Sequence, residues 1–204
     1  IAGLRDKETA LIEKNDSLKA VAYEHFRKSG RKGFPIVRSN AVQALDDADS
    51  LLSEKGYRPE IVFFDLPGTL KSDGVIKTLS QMDYIFTPVS ADRFVVESAL
   101  QFVMMFNDNL VTTGLAKTKA ISLFWTMVDG REKTGLYDLY GKLFAENNFR
   151  VLDTRLPDSK RFRREPSDDR KSVFRSTILP PDTSMLKGSR IRELSEEICS
   201  IING

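Results

Sequence analysis

Four runs of apolar residues, separated by segments with helical periodicity, constrain the fold of this chain more than any other feature. The runs lie at residues 61–64, 83–89, 120–128 and 149–156. Strands that are apolar on both faces and are joined by helices are typical of a parallel sheet that is covered on both sides. The sequence therefore predicts an α/β fold, with a mostly parallel, doubly wound sheet and helices on both of its faces.

The 204 residues have the length of a single domain. Residues 1–33 are dense in charge and predict surface helices that end near Gly30, whereas residues 34–204 hold the strand–helix units. We therefore expect one α/β domain over residues 1–204 that begins with a charged helical segment.

Local signals add detail to these units. Residues 34–38 predict a short strand, and Pro35 places it at a sheet edge or at the start of the strand. Asn40 is suited to cap the helix that follows it. Residues 92–110 predict a long helix, and the apolar stripe in residues 191–202 predicts a closing helix.

The chain has one histidine, His25, and one cysteine, Cys199. A single histidine excludes sites that need paired histidines, including most zinc enzymes. A single cysteine cannot form an internal disulfide, which fits a reducing compartment. The longest apolar run, residues 102–106, is far shorter than the ~20 residues that a membrane span needs. We therefore expect a cytoplasmic protein without a membrane partner, with Cys199 as a buried thiol on the last helix.

The strongest local motif is an apolar run that ends in an acid and a tight turn, Ile61-Val62-Phe63-Phe64-Asp65-Leu66-Pro67-Gly68. A carboxylate at the end of a buried parallel strand lies at the carboxyl edge of the sheet, where ligands bind in this architecture. An ordinary strand-to-helix turn with an N-cap aspartate gives the same pattern. The motif alone leaves both interpretations open.

The ends of the other runs give this motif a context. They read Thr87-Pro88-Val89-Ser90-Ala91-Asp92, Trp125-Thr126-Met127-Val128-Asp129-Gly130 and Leu156-Pro157-Asp158-Ser159-Lys160-Arg161. Taken in order with residues 64–68, the series resembles the ParA/MinD group of P-loop ATPases over about residues 34–202. Residues 82–93, 128–134 and 172–177 are similar to the ParA-like proteins of conjugative transposons, the TraA subgroup.

The resemblance implies a role for each matching residue. Asp65 would be the Mg²⁺-linked aspartate, and the backbone NH of Gly68 would sense the terminal phosphate. Thr126 and Asp129 match positions that contact the nucleotide base, and Pro157-Asp158 matches a loop that closes over the adenine. The family usually has asparagine at the position of Thr126. A threonine hydroxyl offers one donor only, so the base specificity stays open.

One element of the family's site is absent from the 204 residues. The sequence contains no glycine-rich loop followed by Lys-Ser or Lys-Thr, so no such loop cradles phosphates with backbone NH groups. In the family this loop follows a first strand that lies inside the sheet, upstream of the motifs above. We therefore expect an N-terminally truncated chain that lacks on the order of 30 to 40 residues. The alternative is a natural short homologue that has lost catalysis.

Either alternative has consequences for the cofactor and for the sheet. The resemblance implies ATP and Mg²⁺ as cofactors of the parent ATPase, but no catalytic residue and no tight nucleotide binding in this chain. Without the first strand, two neighbouring strands would have unpaired NH and CO groups, each costing about 1–3 kcal/mol if buried. We expect the sheet to close over the gap, to take a strand from another chain or to be poorly stable.

A second informative stretch is basic. Residues 155–175 hold eight lysines and arginines against four acids, although the net charge of the whole chain is only +2. The cations expected to contact DNA phosphates are Lys160, Arg161, Arg163, Arg164, Arg170, Lys171 and Arg175. Such contacts are independent of DNA sequence and weaken with salt. The alternative is a solvated, partly salt-bridged surface.

The sequence therefore supports two hypotheses of different classes. The first is a ParA-type ATPase of a mobile element, which forms a homodimer around ATP and Mg²⁺ and binds DNA, a ParB-like protein or a conjugation partner. The second is a nucleotide-independent interaction module of a transfer or regulatory complex. A flavodoxin-like receiver has the same fold class but fits the order of the strand ends less well.

Overall fold

A computed structural model of the chain describes residues 1–30, 32–54, 58–68, 74–131, 135–165, 167 and 173–204. These residues form two compact units. The first comprises Ile1–Ile36 and Leu156–Ile201, and the second comprises Val37–Arg155 and Ile202–Gly204. No helix among the described residues is long and apolar enough to cross a membrane.

The second unit is built on a three-stranded parallel sheet. Its strands are β1 (Tyr84–Val89), β2 (Ala120–Trp125) and β3 (Arg150–Val151), in the spatial order β1-β2-β3. β1 and β2 pair along their full length, from Tyr84 with Ala120 to Val89 with Trp125. β3 adds two pairs, opposite Ser122 and Leu123. The predicted α/β fold with parallel strands is thereby confirmed.

Helices accompany the strands, since parallel neighbours need crossover connections. In the second unit these helices are α3 (Ala44–Ser53), α4 (Val75–Leu79), α5 (Arg93–Phe106, continued by a π-helical turn over Asn107–Val111) and α6 (Leu136–Glu146). Asp92 caps α5 by accepting hydrogen bonds from the NH groups of Phe94 and Val95. Asn40 accepts from two NH groups in the turn before α3. Asp92 lies where the sequence predicts a helix to begin, whereas α3 begins later than predicted, with Gln43 as its N-cap, so Asn40 caps the preceding turn and not the helix.

One face of the sheet carries the core of the second unit. Val89, Leu123 and Trp125 pack in one cluster with buried residues of α5 and α6. The ring of Trp125 lies 5.1 Å from the ring of Tyr137 and 5.6 Å from that of Phe144. Aromatic pairs at these distances stabilise a core beyond the area that they bury. This cluster fixes the carboxyl ends of β1 and β2 relative to the two helices.

Three strand predictions need correction. Residues 34–38 and 61–64 belong to no strand in the described part of the chain, and the predicted run 149–156 forms a strand only at Arg150–Val151. Val62 and Phe63, expected inside a buried strand, are 44% and 77% exposed. Apolar, β-branched composition favours a strand only where a neighbouring strand pairs with its NH and CO groups. No described segment does so here.

The first unit is mainly helical. It contains α1 (Ala2–Lys14), α2 (Asp16–Ser29), a 3₁₀ turn at Lys160–Arg163, α7 (Thr183–Leu186) and all but the last two residues of α8 (Ile191–Asn203). Gly30 ends α2 in the left-handed conformation, with a φ of 62°, as the sequence predicts. Leu194 and Ile201 are the buried residues of α8. Cys199 is exposed rather than buried, because it lies off the stripe that these two residues define.

Replacement of Phe144 by alanine tests the core of the second unit. Phe144 is fully buried against Trp125, so Phe144→Ala is expected to lower the free energy of unfolding by about 3–5 kcal/mol through lost burial and a cavity. Urea denaturation followed by circular dichroism measures this change. Leu139 lies on the same helix but is 60% exposed, so Leu139→Ala is the matched control. Equal losses for the two variants would contradict the described packing.

Candidate functional site

The carboxyl edge of the sheet brings together the residues that follow β1 and β2. The backbone NH of Thr126 donates to the carbonyl oxygen of Val89 at 2.7 Å, and its hydroxyl donates to the same oxygen at 3.2 Å. Thr126 is half-buried. Its position at this edge agrees with the predicted placement of a strand end, but its single hydroxyl donor is already directed at the protein backbone.

Asp129 lies three residues further along and binds a cation of the chain itself. Its carboxylate accepts hydrogen bonds from Nε and Nη2 of Arg131, at 3.1 and 3.0 Å, and from the Arg131 backbone NH at 2.9 Å. The side-chain bonds from Arg131 are the main cause of a lowered pKa of Asp129. In this arrangement the carboxylate of Asp129 is ionised, and Arg131 compensates its charge locally.

The predicted metal residue, Asp65, does not follow a strand, because residues 61–64 are in no strand of the described sheet. Asp65 and Gly68 are exposed, and no hydrogen bond or ion pair joins Asp65 to another described residue. Among the described residues, no group of three or more His, Cys, Asp or Glu side chains is arranged to hold a metal ion. A single exposed carboxylate lacks the several oxygen ligands that an all-protein Mg²⁺ site would need, although Mg²⁺ sites in ATPases are commonly completed by waters and substrate phosphates.

Pro157 and Asp158 belong to the first unit, in the loop before the 3₁₀ turn. Pro157 is half-buried, and Asp158 is exposed. The carboxylate of Asp158 binds Nη2 of Arg163 at 2.7 Å. Asp158 therefore neutralises one of the cations that the sequence assigns to DNA binding.

Part of the basic stretch is engaged within the first unit. Arg161 donates from Nη1 to the carbonyl oxygens of Met185 and Lys187, at 3.2 and 2.9 Å. Arg175 donates from Nε to the carbonyl oxygen of Phe162 at 3.0 Å, and its Nη1 lies 3.8 Å from a carboxylate oxygen of Glu165. These two arginines organise the loop, and Arg163 is paired with an acid.

Lys160 and Arg164 differ from these neighbours. Both are exposed, and neither side chain makes a hydrogen bond or an ion pair with a described residue. Arg170 and Lys171, the other two cations of the predicted set, lie outside the described residues. Within the described part of the stretch, Lys160 and Arg164 are thus the cations best suited to meet an external anion.

The sequence patterns do not reveal the structural roles of two charged residues, Arg131 and Glu8. Arg131 is adjacent to the predicted site, but nothing in the sequence says that it binds Asp129. Glu8 lies on a charge-dense helix, where a solvated carboxylate is the ordinary expectation, yet it is only 3% exposed. Its partners are more than 160 positions away in the chain, so no local signal reveals them.

No protein-family model matches this chain, and neither a curated protein nor a solved structure matches it significantly. The class of the protein therefore rests on its own residues. These residues do not by themselves form a nucleotide site. The sequence has no glycine-rich Lys-Ser/Thr loop, Asp129 is bound to Arg131, and Asp65 belongs to no group of three or more potential metal ligands among the described residues. No step of a hydrolysis reaction follows from these residues.

Replacement of Arg131 by alanine tests the pairing at Asp129. The variant loses both guanidinium bonds, so the pKa of Asp129 is expected to rise toward its ordinary value. A carboxylate with a lowered folded-state pKa contributes stability above its unfolded pKa and loses it as the pH falls through the folded value. The variant should lack part of this contribution. An NMR pH titration of the Asp129 carboxyl carbon measures the change.

Arg93→Ala is the matched control for this titration, because Arg93 is exposed and binds Glu97 instead. The pKa of Asp129 should not change in the control. A pKa of Asp129 that also stays the same in Arg131→Ala would show that the two side chains do not interact in solution.

Proposed function

We propose that these 204 residues are part of a ParA-like ATPase of a mobile element, in which ATP and Mg²⁺ control dimerisation and contact with DNA or a partner protein. The proposal rests mainly on the order of the turn residues that follow the four apolar runs of the sequence. It is supported by the parallel pairing of β1 with β2, which brings Val89 and Thr126 to the same edge. Ligands bind at the carboxyl edge in open α/β sheets.

Within this proposal, each residue has a stated role. Asp65 would be linked to the Mg²⁺ ion, and the backbone NH of Gly68 would sense the terminal phosphate. Thr126 and Asp129 would contact the nucleotide base, and the loop at Pro157-Asp158 would close over it. The full doubly wound P-loop sheet is also part of the proposal, since the described sheet has three strands. Bound nucleotide would have to compete with Arg131 for Asp129.

Titration with ATP tests the dependence on the missing phosphate loop. Without backbone NH groups to cradle the phosphates and a lysine to reach them, the 204-residue chain is expected to bind ATP and Mg²⁺ no more tightly than the millimolar range. Isothermal titration calorimetry measures this affinity. Binding at about 1 μM would contradict the view that the loop is indispensable.

A DNA-binding assay tests the role of the basic stretch. If Lys160 and Arg164 contact phosphates, replacing both by alanine should weaken DNA binding at low salt. The fall of log K with log salt should also become less steep, by about 2 units of slope. Fluorescence anisotropy with duplexes of two unrelated sequences measures the slope and the lack of sequence preference. Lys14 and Lys142 are exposed lysines on α1 and α6, and their double replacement is a control with the same charge change. Equal effects of the two double variants would contradict a specific role for the stretch.

A second candidate is a nucleotide-independent interaction module of a transfer or regulatory complex. The engagement of Asp129 by Arg131 favours this candidate, because it leaves no free carboxylate at the predicted base position. The two candidates differ in their response to nucleotide. Partner or DNA binding that is unchanged by ATP in a chain that includes the phosphate loop would favour the second.

A further inference from the structure

An acidic side chain of α1 is buried against the C-terminal part of the first unit. The carboxylate of Glu8 accepts hydrogen bonds from the backbone NH groups of Thr177 and Ile178, at 2.6 and 3.1 Å, and from the Thr177 hydroxyl at 2.8 Å. It also accepts a hydrogen bond from the hydroxyl of Ser176. Four donors from three consecutive residues satisfy one carboxylate, so its burial is fully compensated.

Further bonds orient the donors around Glu8. The NH group of Leu179 donates to the Ser176 oxygen at 2.9 Å, so the Ser176 hydroxyl is left to donate to Glu8. Nε of Arg5 donates to the Thr177 hydroxyl oxygen at 2.7 Å, and Nη2 of Arg5 donates to the Thr177 carbonyl oxygen at 2.8 Å. Chains of hydrogen bonds of this kind strengthen one another. Residues 176–179 are therefore held against α1 in one conformation.

This fixed segment continues directly into the basic stretch. Arg175, next to Ser176, binds the carbonyl oxygen of Phe162 and lies near Glu165. The ring of Phe174 packs against that of Phe162 at a centroid distance of 4.9 Å. Phe162 is part of the 3₁₀ turn that carries Lys160 and leads to Arg164. A series of contacts thus runs from Glu8 to the turn that holds Lys160 and Arg164, whose side chains have no partner among the described residues.

We propose that Glu8 is a positioning residue for nucleic-acid binding: through Ser176, Thr177 and Ile178 it fixes Arg175 and Phe174, and these fix the turn that presents Lys160 and Arg164. The inference rests on the proposed contact with DNA phosphates. In this role Glu8 would favour the binding of DNA, although its negative charge by itself repels DNA phosphates.

This difference in sign makes the proposal testable with the full 204-residue chain. A substitution that removes a negative charge should tighten DNA binding if charge alone matters. Glu8→Gln is instead expected to weaken binding to a labelled duplex by about threefold to tenfold, because the amide group would face a donor and the network would lose its order. Glu13→Gln removes the same charge from an exposed position of α1, and it should bind as tightly as the wild type or more tightly.

A second variant and a second measurement separate positioning from a general loss of the fold. Ser176→Ala removes one donor to Glu8 without a change of charge, and it should weaken DNA binding in the same direction as Glu8→Gln. Hydrogen exchange followed by mass spectrometry should show faster exchange in residues 160–165 and 173–179 of both variants. Exchange in β2 should not change.

The outcomes distinguish this inference from the proposed function. DNA affinity of Glu8→Gln equal to or higher than that of the wild type, or unchanged exchange in residues 160–165, would overturn the positioning role. Absence of DNA binding by the wild type would overturn the proposed DNA contact and the nucleic-acid role of Glu8 together. In that case the exchange measurement would still decide whether Glu8 fixes the basic turn.

Discussion

The parallel pairing of β1 with β2 is the constraint on which the second unit depends. Parallel strands cannot be joined by a tight turn, so each needs a crossover, and each crossover helix must bury its apolar face on the sheet. α5 and α6 do so around Trp125. Because β1 and β2 pair in register from Tyr84 to Val89, their carboxyl ends are level. The candidate site at Thr126 and Asp129 is a consequence of this register.

The two units hold their acids in different ways. Asp129 is partly exposed and is bound by one exposed arginine, and pairs of this kind contribute little to stability. Glu8 is buried and receives four hydrogen bonds, two of them from backbone NH groups. Removing such a carboxylate leaves several buried donors without an acceptor, each at a cost of about 1–3 kcal/mol. The first is thus a local ion pair at the surface, whereas the second organises the surrounding chain.

The sequence correctly predicts the helices and strands that depend on local residue patterns. It does not predict structure that depends on a partner far away in the chain. Tyr84–Val89, Ala120–Trp125, the Asp92 cap and the Gly30 helix end all follow from residues within a few positions. The pairing partner of a strand is not a local property, so residues 61–64 have the composition of a strand and no strand neighbour among the described residues. The bonds from residues 176–178 to Glu8 likewise join positions that no periodicity connects. The sequence motif identifies Asp129 as a candidate site residue. Only the structure shows that its carboxylate is bound to Arg131.

Amide hydrogen exchange by NMR tests the central claim, a parallel sheet of three strands with residues 61–64 outside it. The described sheet predicts slow exchange for the NH groups of β2 that pair with β1 or β3, of Thr126, which donates to Val89, and of Leu152, which donates to Leu123. It predicts fast exchange for the NH groups of residues 61–64, which no described strand protects. Protection of residues 61–64 equal to that of β2 would contradict it, since it would place a fourth strand in the sheet.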